Sequence, residues 1–103
     1  MTQQMWNDLS FAEQMSNIDG DVVRLVDSHE KALKDGCEDH AAFYLMRIEK
    51  LIKMTLFDPK NYQRGYRAIE LFDELEEIKK YLYENNDKDS ILEYWNQYTR
   101  SIS

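Results

Sequence analysis

The segment Ala41–Phe57 carries apolar side chains on more than one face of any helix it could form. Ala41, Tyr44, Leu45, Ile48, Leu51, Ile52 and Thr55 make one broad stripe, and Ala42, Phe43, Met46, Met54, Leu56 and Phe57 widen it. Arg47, Glu49, Lys50 and Lys53 are left for water. A helix this apolar has to be covered on several sides, which predicts the central helix of a small bundle. Asp58-Pro59 should stop it, because proline lacks the amide donor and pushes the preceding residue out of helical geometry.

The rest of the chain supplies the cover. Ser10-Phe11-Ala12-Glu13 has the pattern of a capping box, with hydroxyl and carboxylate each taking an otherwise unpaired amide. Phe11, Met15, Ile18, Val22, Leu25, His29 and Ala32 then recur at alternating spacings of four and three. That is the seam of near-parallel helices packing knobs into holes. Asp19-Gly20-Asp21 interrupts it with poor helix formers, so either a bend or a close backbone approach is expected there. Gly36 provides the left-handed stop, and Asp39 can cap the next helix. Ala68, Leu71, Leu75, Ile78 and Leu82 form a third seam, widened by Ile69 and Phe72. Ser90-Ile91-Leu92-Glu93 reads as a second capping box, followed by Ile91, Trp95, Tyr98 and Ile102.

These signals predict one all-α domain: an antiparallel up-down four-helix bundle with helices over about 10–35, 39–57, 61–85 and 90–102. Short connections force sequential helices to lie antiparallel and adjacent. Residues 1–9, with Met5, Trp6 and Leu9, are expected to pack on the bundle as a short extension.

At 103 residues the chain can bury roughly 60–70% of its unfolded surface without staples. Three glycines and one proline argue against a β fold rich in tight turns. The single cysteine, Cys37, makes no internal disulfide and fits a reducing cytoplasm. The first residues lack a signal peptide's basic and apolar regions, and no apolar run approaches the ~20 residues needed to span a bilayer. The net charge of −7 opposes binding to nucleic acid or anionic lipid unless a local basic patch overcomes it.

Two stretches, Asn17-Ile18-Asp19-Gly20-Asp21-Val22-Val23-Arg24 and Leu51-Ile52-Lys53-Met54-Thr55-Leu56-Phe57-Asp58-Pro59-Lys60-Asn61, resemble motifs in a set of small, uncharacterised helical bacterial proteins. The resemblance covers about the middle half of the chain, and Asp19 stands where the first motif has glycine. It implies a bacterial, cytoplasmic, helical protein, and it implies no activity.

Residues 60–67 hold the densest cluster of cations. Lys60, Arg64 and Arg67 share a helical face beside Tyr62 and Tyr66, at a helix N-terminus where the dipole disfavours them. Guanidinium forks, free amides and stacking tyrosines together suit a phosphate, a nucleotide or RNA. The plainer reading pairs these cations with acidic residues on neighbouring helices. Glu70, Asp73, Glu74 and Glu77 project from neighbouring turns of one helix, as magnesium-holding acids do in helical nucleotide hydrolases. Glu84 to Asp87 lies too close in sequence to face them from a separate helix, so a solvated charged face is the simpler account. His29, Cys37, Glu38 and His40 lack the ligand spacing of a zinc site. No glycine-rich phosphate loop, nucleophile elbow or Arg-x4-His pattern is present.

Tyr83, Tyr94, Trp95 and Tyr98 around the last hairpin, with Trp6, are the candidate protein-binding aromatics on an acidic background. The leading expectation is therefore a small non-enzymatic interaction or adaptor module, using the acidic and aromatic surface of the last two helices to bind a protein or a second copy of itself. Anion or RNA binding through residues 60–67 is the alternative, and metal-dependent nucleotide hydrolysis comes third. No cofactor and no resident metal are expected.

Overall fold

The ends of the first long helix are set by local chemistry, as the sequence predicts. Ser10 Oγ accepts from the Glu13 amide at 3.1 Å and Glu13 Oε1 accepts from the Ser10 amide at 3.0 Å, closing the capping box. Gly36 ends the same helix at φ 70, its amide donating to the Ala32 carbonyl. A computed structural model describes residues 1–63, 65–84 and 87–102, with side chains at 1–63, 69–84 and 87–98. Its elements are α1 (Gln3–Asn7), α2 (Phe11–Asp35), α3 (Ala41–Leu56), a 3-10 turn (Pro59–Asn61), α4 (Gly65–Glu84) and α5 (Lys88–Ile102). No strand occurs among the described residues, and no described helix is long and apolar enough to cross a membrane.

α2 passes through Asp19-Gly20-Asp21 without ending. Asp21 is buried and takes Arg24 Nη1 at 3.0 Å and Arg47 Nε of α3 at 3.3 Å. A residue poor at helix formation is thus held there as an interhelical tether. Arg24 Nη1 also lies 3.3 Å from where a Cβ on Gly20 would sit, so the close neighbour at that glycine is a side chain.

The turn into α3 is pinned back onto α2. Asp39 Oδ1 accepts from the Ala41 amide and its Oδ2 meets His29 Nδ1, both at 2.8 Å, while Ser28 Oγ accepts from the His40 amide. Burial alone would raise the Asp39 carboxyl, but the hydrogen bonds from His29 and the Ala41 amide outweigh it and hold it below its ordinary range. Downstream, α3 ends before Asp58-Pro59, and Asp58 caps a 3-10 turn. α4 begins at Gly65, later than the sequence pattern suggests. α5 begins earlier, at Lys88, because Asp87 Oδ1 takes the Asp89 amide. Ser90 lies inside that first turn and donates to the Asp87 carbonyl instead of capping.

The molecule measures 42 × 25 × 25 Å, and a helix as long as α2 is itself ~37 Å, so α2 follows the long axis. Its seam residues Met15, Ile18, Val22 and Leu25 are fully buried. α2 packs extensively on both α3 and α5; α4 touches the same two helices, and α1 lies on α3. Ile48 and Ile52 of α3, Leu71, Leu75 and Ile78 of α4, and Ile91 and Trp95 of α5 complete the core.

α3 is covered by α1, α2 and α4, but one flank is bare, and the expectation that Phe43, Met46 and Phe57 widen its buried stripe needs correction. Phe43, Met46 and Phe57 are 57%, 71% and 68% exposed. Lys50 and Lys53 fall on the same flank, and burying two ammonium groups without partners would cost more than the aromatics gain. The helix with the broadest packing is α2, which lies along both α3 and α5. Ile69 and Phe72, expected to widen the buried face of α4, are likewise exposed.

Candidate functional site

The Lys60 region is organised inward. Lys60 Nζ donates to the Asn7 carbonyl at 2.8 Å and pairs with the buried Asp58. Gln14 Nε2 donates to Asp58 Oδ2 at 2.7 Å and to the Trp6 carbonyl at 2.9 Å. Asn61 Nδ2 donates to Gln14 Oε1 and to the Thr55 carbonyl. Burial would raise the Asp58 carboxyl, but the hydrogen bonds from Lys60 and Gln14 and the Lys60 charge hold it low. Lys60 therefore serves a polar network that joins α1, α2 and the 3-10 turn. Tyr62 is mostly exposed, and its hydroxyl donates to the Phe57 carbonyl at 3.4 Å. Arg64, Tyr66 and Arg67 lie outside the described side chains.

Three of the five candidate aromatics prove to be core. Trp6 is buried against Thr55, donating Nε1 to its Oγ1 at 2.9 Å, and Trp95 and Tyr98 are also buried. Tyr94 is half-buried with its hydroxyl 3.3 Å from that of Tyr98. Burial first, then hydrogen bonds to Tyr98 and Glu70, push the Tyr94 hydroxyl far above the usual phenol range. Only Tyr83, 71% exposed, stands in water. The seam spacing of Ile91, Trp95 and Tyr98 already marked two of these residues as inward-facing, and the seam prevails over the impression of an aromatic surface.

Among the acids of α4, Glu74 is half-buried, and its carboxyl is pushed up to about 7 by burial and then by the charges of Glu77, Glu70 and Asp73. Among the described residues no three His, Cys, Asp or Glu side chains gather so as to hold a metal ion. Cys37 is exposed in an open cleft of about 490 Å³ that also takes in Ser28, Glu38 and His40. His29 instead turns to Asp39 and meets the edge of Tyr81 at 5.3 Å between centroids.

The feature that sequence reasoning missed is the outer face of α3. Phe43, Met46, Lys50, Lys53 and Phe57 recur at spacings of three and four, all of them exposed. Two shallow clefts flank this row. One, of about 330 Å³, runs by Met1, Phe43 and Leu51; the other, of about 390 Å³, runs by Met46, Lys53 and Phe57. Arg47 lies 6.0 Å over the Phe43 ring, and Lys53 pairs with Glu49 at 3.6 Å. α4 carries a matching row, Ile69, Phe72, Glu76, Lys79 and Tyr83, with three exposed apolar members. The signal was present: lysines at two positions of an otherwise apolar heptad mark a face that the monomer does not bury. No protein-family model matches the chain, and no curated protein and no solved structure is detectably similar to it.

Proposed function

We propose that the protein is a non-enzymatic cytoplasmic interaction module, an antiparallel up-down bundle of α2 to α5 with α1 packed on it, that docks a protein partner through the outer faces of α3 and α4. The bundle reading is supported by the pairing of α2 and of α4 with the same two neighbours, α3 and α5. The functional reading rests on one observation: Phe43, Met46 and Phe57 stand 57%, 71% and 68% exposed in a single row along α3. Apolar side chains scattered singly need no explanation, but an exposed phenylalanine and methionine pair and a second phenylalanine on one helix face, with lysines between them, make the mixed apolar and charged surface that protein interfaces use. The acidic and aromatic surface first expected on the last two helices reduces to the α4 face, since Trp95 and Tyr98 are internal.

The test is affinity capture from the native cell with nuclease treatment, comparing the wild type with a Phe43→Asp, Met46→Asp double variant. Capture of a protein that survives nuclease and is lost in the variant is the expected result. A partner released by nuclease and indifferent to the variant would favour an anion-binding role for the Lys60 segment instead.

A further inference from the structure

Asp58 Oδ2 is shared by two donors that each reach on to α1. Gln14 Nε2 donates to Oδ2 at 2.7 Å and to the Trp6 carbonyl at 2.9 Å. Lys60 Nζ pairs with the same oxygen and donates to the Asn7 carbonyl at 2.8 Å. The carbonyl end of α1 is thus gripped by side chains from α2 and from the 3-10 turn, and one buried carboxylate aligns both. We infer that α1 is a strap that opens and closes on an otherwise folded bundle, that Asp58 is its clasp, and that opening bares Met54 and Thr55 at the edge of the exposed α3 row. This goes beyond the docking reading and holds whether or not a partner sits on α3.

α1 has little of its own to keep it in place. Its five residues fall far below the ~12–15 that an isolated helix needs, so off the bundle it unfolds. Trp6 is its buried side chain, while Met1 and Met5 before it are 63% and 55% exposed. Neither neighbour needs α1 for its own shape. Ser10 and Glu13 cap α2 between themselves, and Asp58 Oδ1 accepts from the Lys60 amide within the 3-10 turn at 3.1 Å. Asn61 ties Gln14 Oε1 to the Thr55 carbonyl. α1 can therefore leave without unwinding either one, which is the condition for a local opening below the free energy of global unfolding.

Met54 and Thr55, both buried, are the residues to which Gln3 and Trp6 of the strap bond. Met54 borders both clefts that flank the Phe43 to Phe57 row, and Met1 walls one of them. Opening removes that wall and joins Met54 to the row, so the strap sets how much apolar surface α3 shows. The clasp works by charge. A carboxylate at position 58 accepts from both arms, whereas an amide would set a donor against two donors while its oxygen still caps the Lys60 amide. Asp58→Asn therefore unfastens both arms and leaves the turn in place.

The test is native-state proteolysis with chymotrypsin, read by mass as cleavage after Trp6 and Leu9, on full-length wild type, Asp58→Asn and Asp39→Asn. Asp39 is a hydrogen-bonded carboxylate at the other end of α3, so its variant reports a general loss of stability. Cleavage follows the open population when reclosing outpaces cutting. Asp58→Asn should be cut at these sites about tenfold faster or more, as the loss of hydrogen bonds to a charged group implies, and Asp39→Asn within about threefold of wild type. Hydrogen peroxide should oxidise Met54 about threefold faster or more in Asp58→Asn, with the core residue Met15 unchanged. If circular dichroism finds Asp58→Asn unfolded, Lys60→Met, which removes one arm, carries the same test with about threefold faster cutting expected. Equal acceleration in the Asp58 and Asp39 variants, or cuts after Trp6 that come only together with cuts after the buried Tyr81 and Trp95, overturns the inference, since α1 would then leave only when the whole bundle unfolds. Faster cutting with Met54 oxidation unchanged overturns the covering of α3.

Discussion

Trp6 Nε1 donates to Thr55 Oγ1 at 2.9 Å, joining residues 49 apart in the chain within a site closed to water. Thr55 Oγ1 in turn donates a hydrogen bond to the Leu51 carbonyl at 2.8 Å, so the hydroxyl is used in both directions. Thr55→Val keeps the shape but leaves a buried indole N–H without an acceptor, which should cost about 2 kcal/mol. Trp6→Ala removes the ring as well and should cost about 3–5 kcal/mol. Urea unfolding followed by circular dichroism measures both, and an unchanged midpoint for Thr55→Val would show that the bond adds nothing.

Asp21 is held by two arginines from different helices, each more than half exposed. Either one should hold the buried carboxylate alone, so Arg24→Ala and Arg47→Ala are each expected to cost less than about 1 kcal/mol. The double variant strands a buried charge and should cost about 3 kcal/mol, more than the sum of the singles. A double-mutant cycle in urea reads the difference directly. Additive effects would mean that Asp21 gains nothing from having two partners.

The two described glycines in and beside α2 should respond with opposite signs to alanine. Gly36 has open space around it but a φ of 70, so Gly36→Ala should destabilise by about 1 kcal/mol through backbone strain alone. Gly20 is inside the helix, and a new Cβ there meets only the tip of Arg24, which can swing into water. Gly20→Ala should therefore stabilise by about 0.5 kcal/mol. Thermal melts of the two variants against the wild type give the signs.

Glu74 sets the pH dependence on the neutral side. Its carboxyl, raised from 4.5 to about 7, holds a proton in the folded chain that the unfolded chain releases. Stability should therefore fall as pH rises between those values and level off above them. Glu74→Gln should abolish that slope and stabilise the protein at pH values above about 7, by about 1 kcal/mol after allowing for solvent screening. Asp58 and Asp39, both held low, act in the other direction, and their contribution is lost as pH falls below the ordinary aspartate value of 3.8. Urea midpoints across the acid-to-neutral range should thus peak at about pH 4, where the loss from the aspartates gives way to the loss from Glu74, and a flat profile in the wild type would contradict the assignment to Glu74.

What could be read from the sequence was local. The Ser10–Glu13 box, the Gly36 stop and the Asp58-Pro59 break each depend on residues within a few positions of one another, and they stand where the spacing put them. The seam of Met15, Ile18, Val22 and Leu25 was equally plain, because one helix face carries it. Which apolar stripe is covered is a different kind of question. Phe43 and Ile48 are both apolar residues of α3, yet only the arrangement of neighbouring helices leaves the first exposed and the second closed. The contacts among Gln14, Asp58 and Asn61 join positions more than forty apart, beyond the reach of any local pattern. The candidate surface moved for the opposite reason: Trp6, in a segment expected to pack on the bundle, and Trp95, on the seam of Ile91, carried local signals of burial that outweigh their being aromatic on an acidic background.

The segment that Trp6 anchors takes most of its distant partners from one short stretch. Gln3 donates to the Met54 carbonyl, Trp6 needs Thr55, and the Asn7 carbonyl takes Lys60. All three holds fall within residues 54–60, so a disturbance that frays the last turn of α3 releases α1 with it. Amide exchange at the close of that helix should therefore bring exchange in α1 along with it.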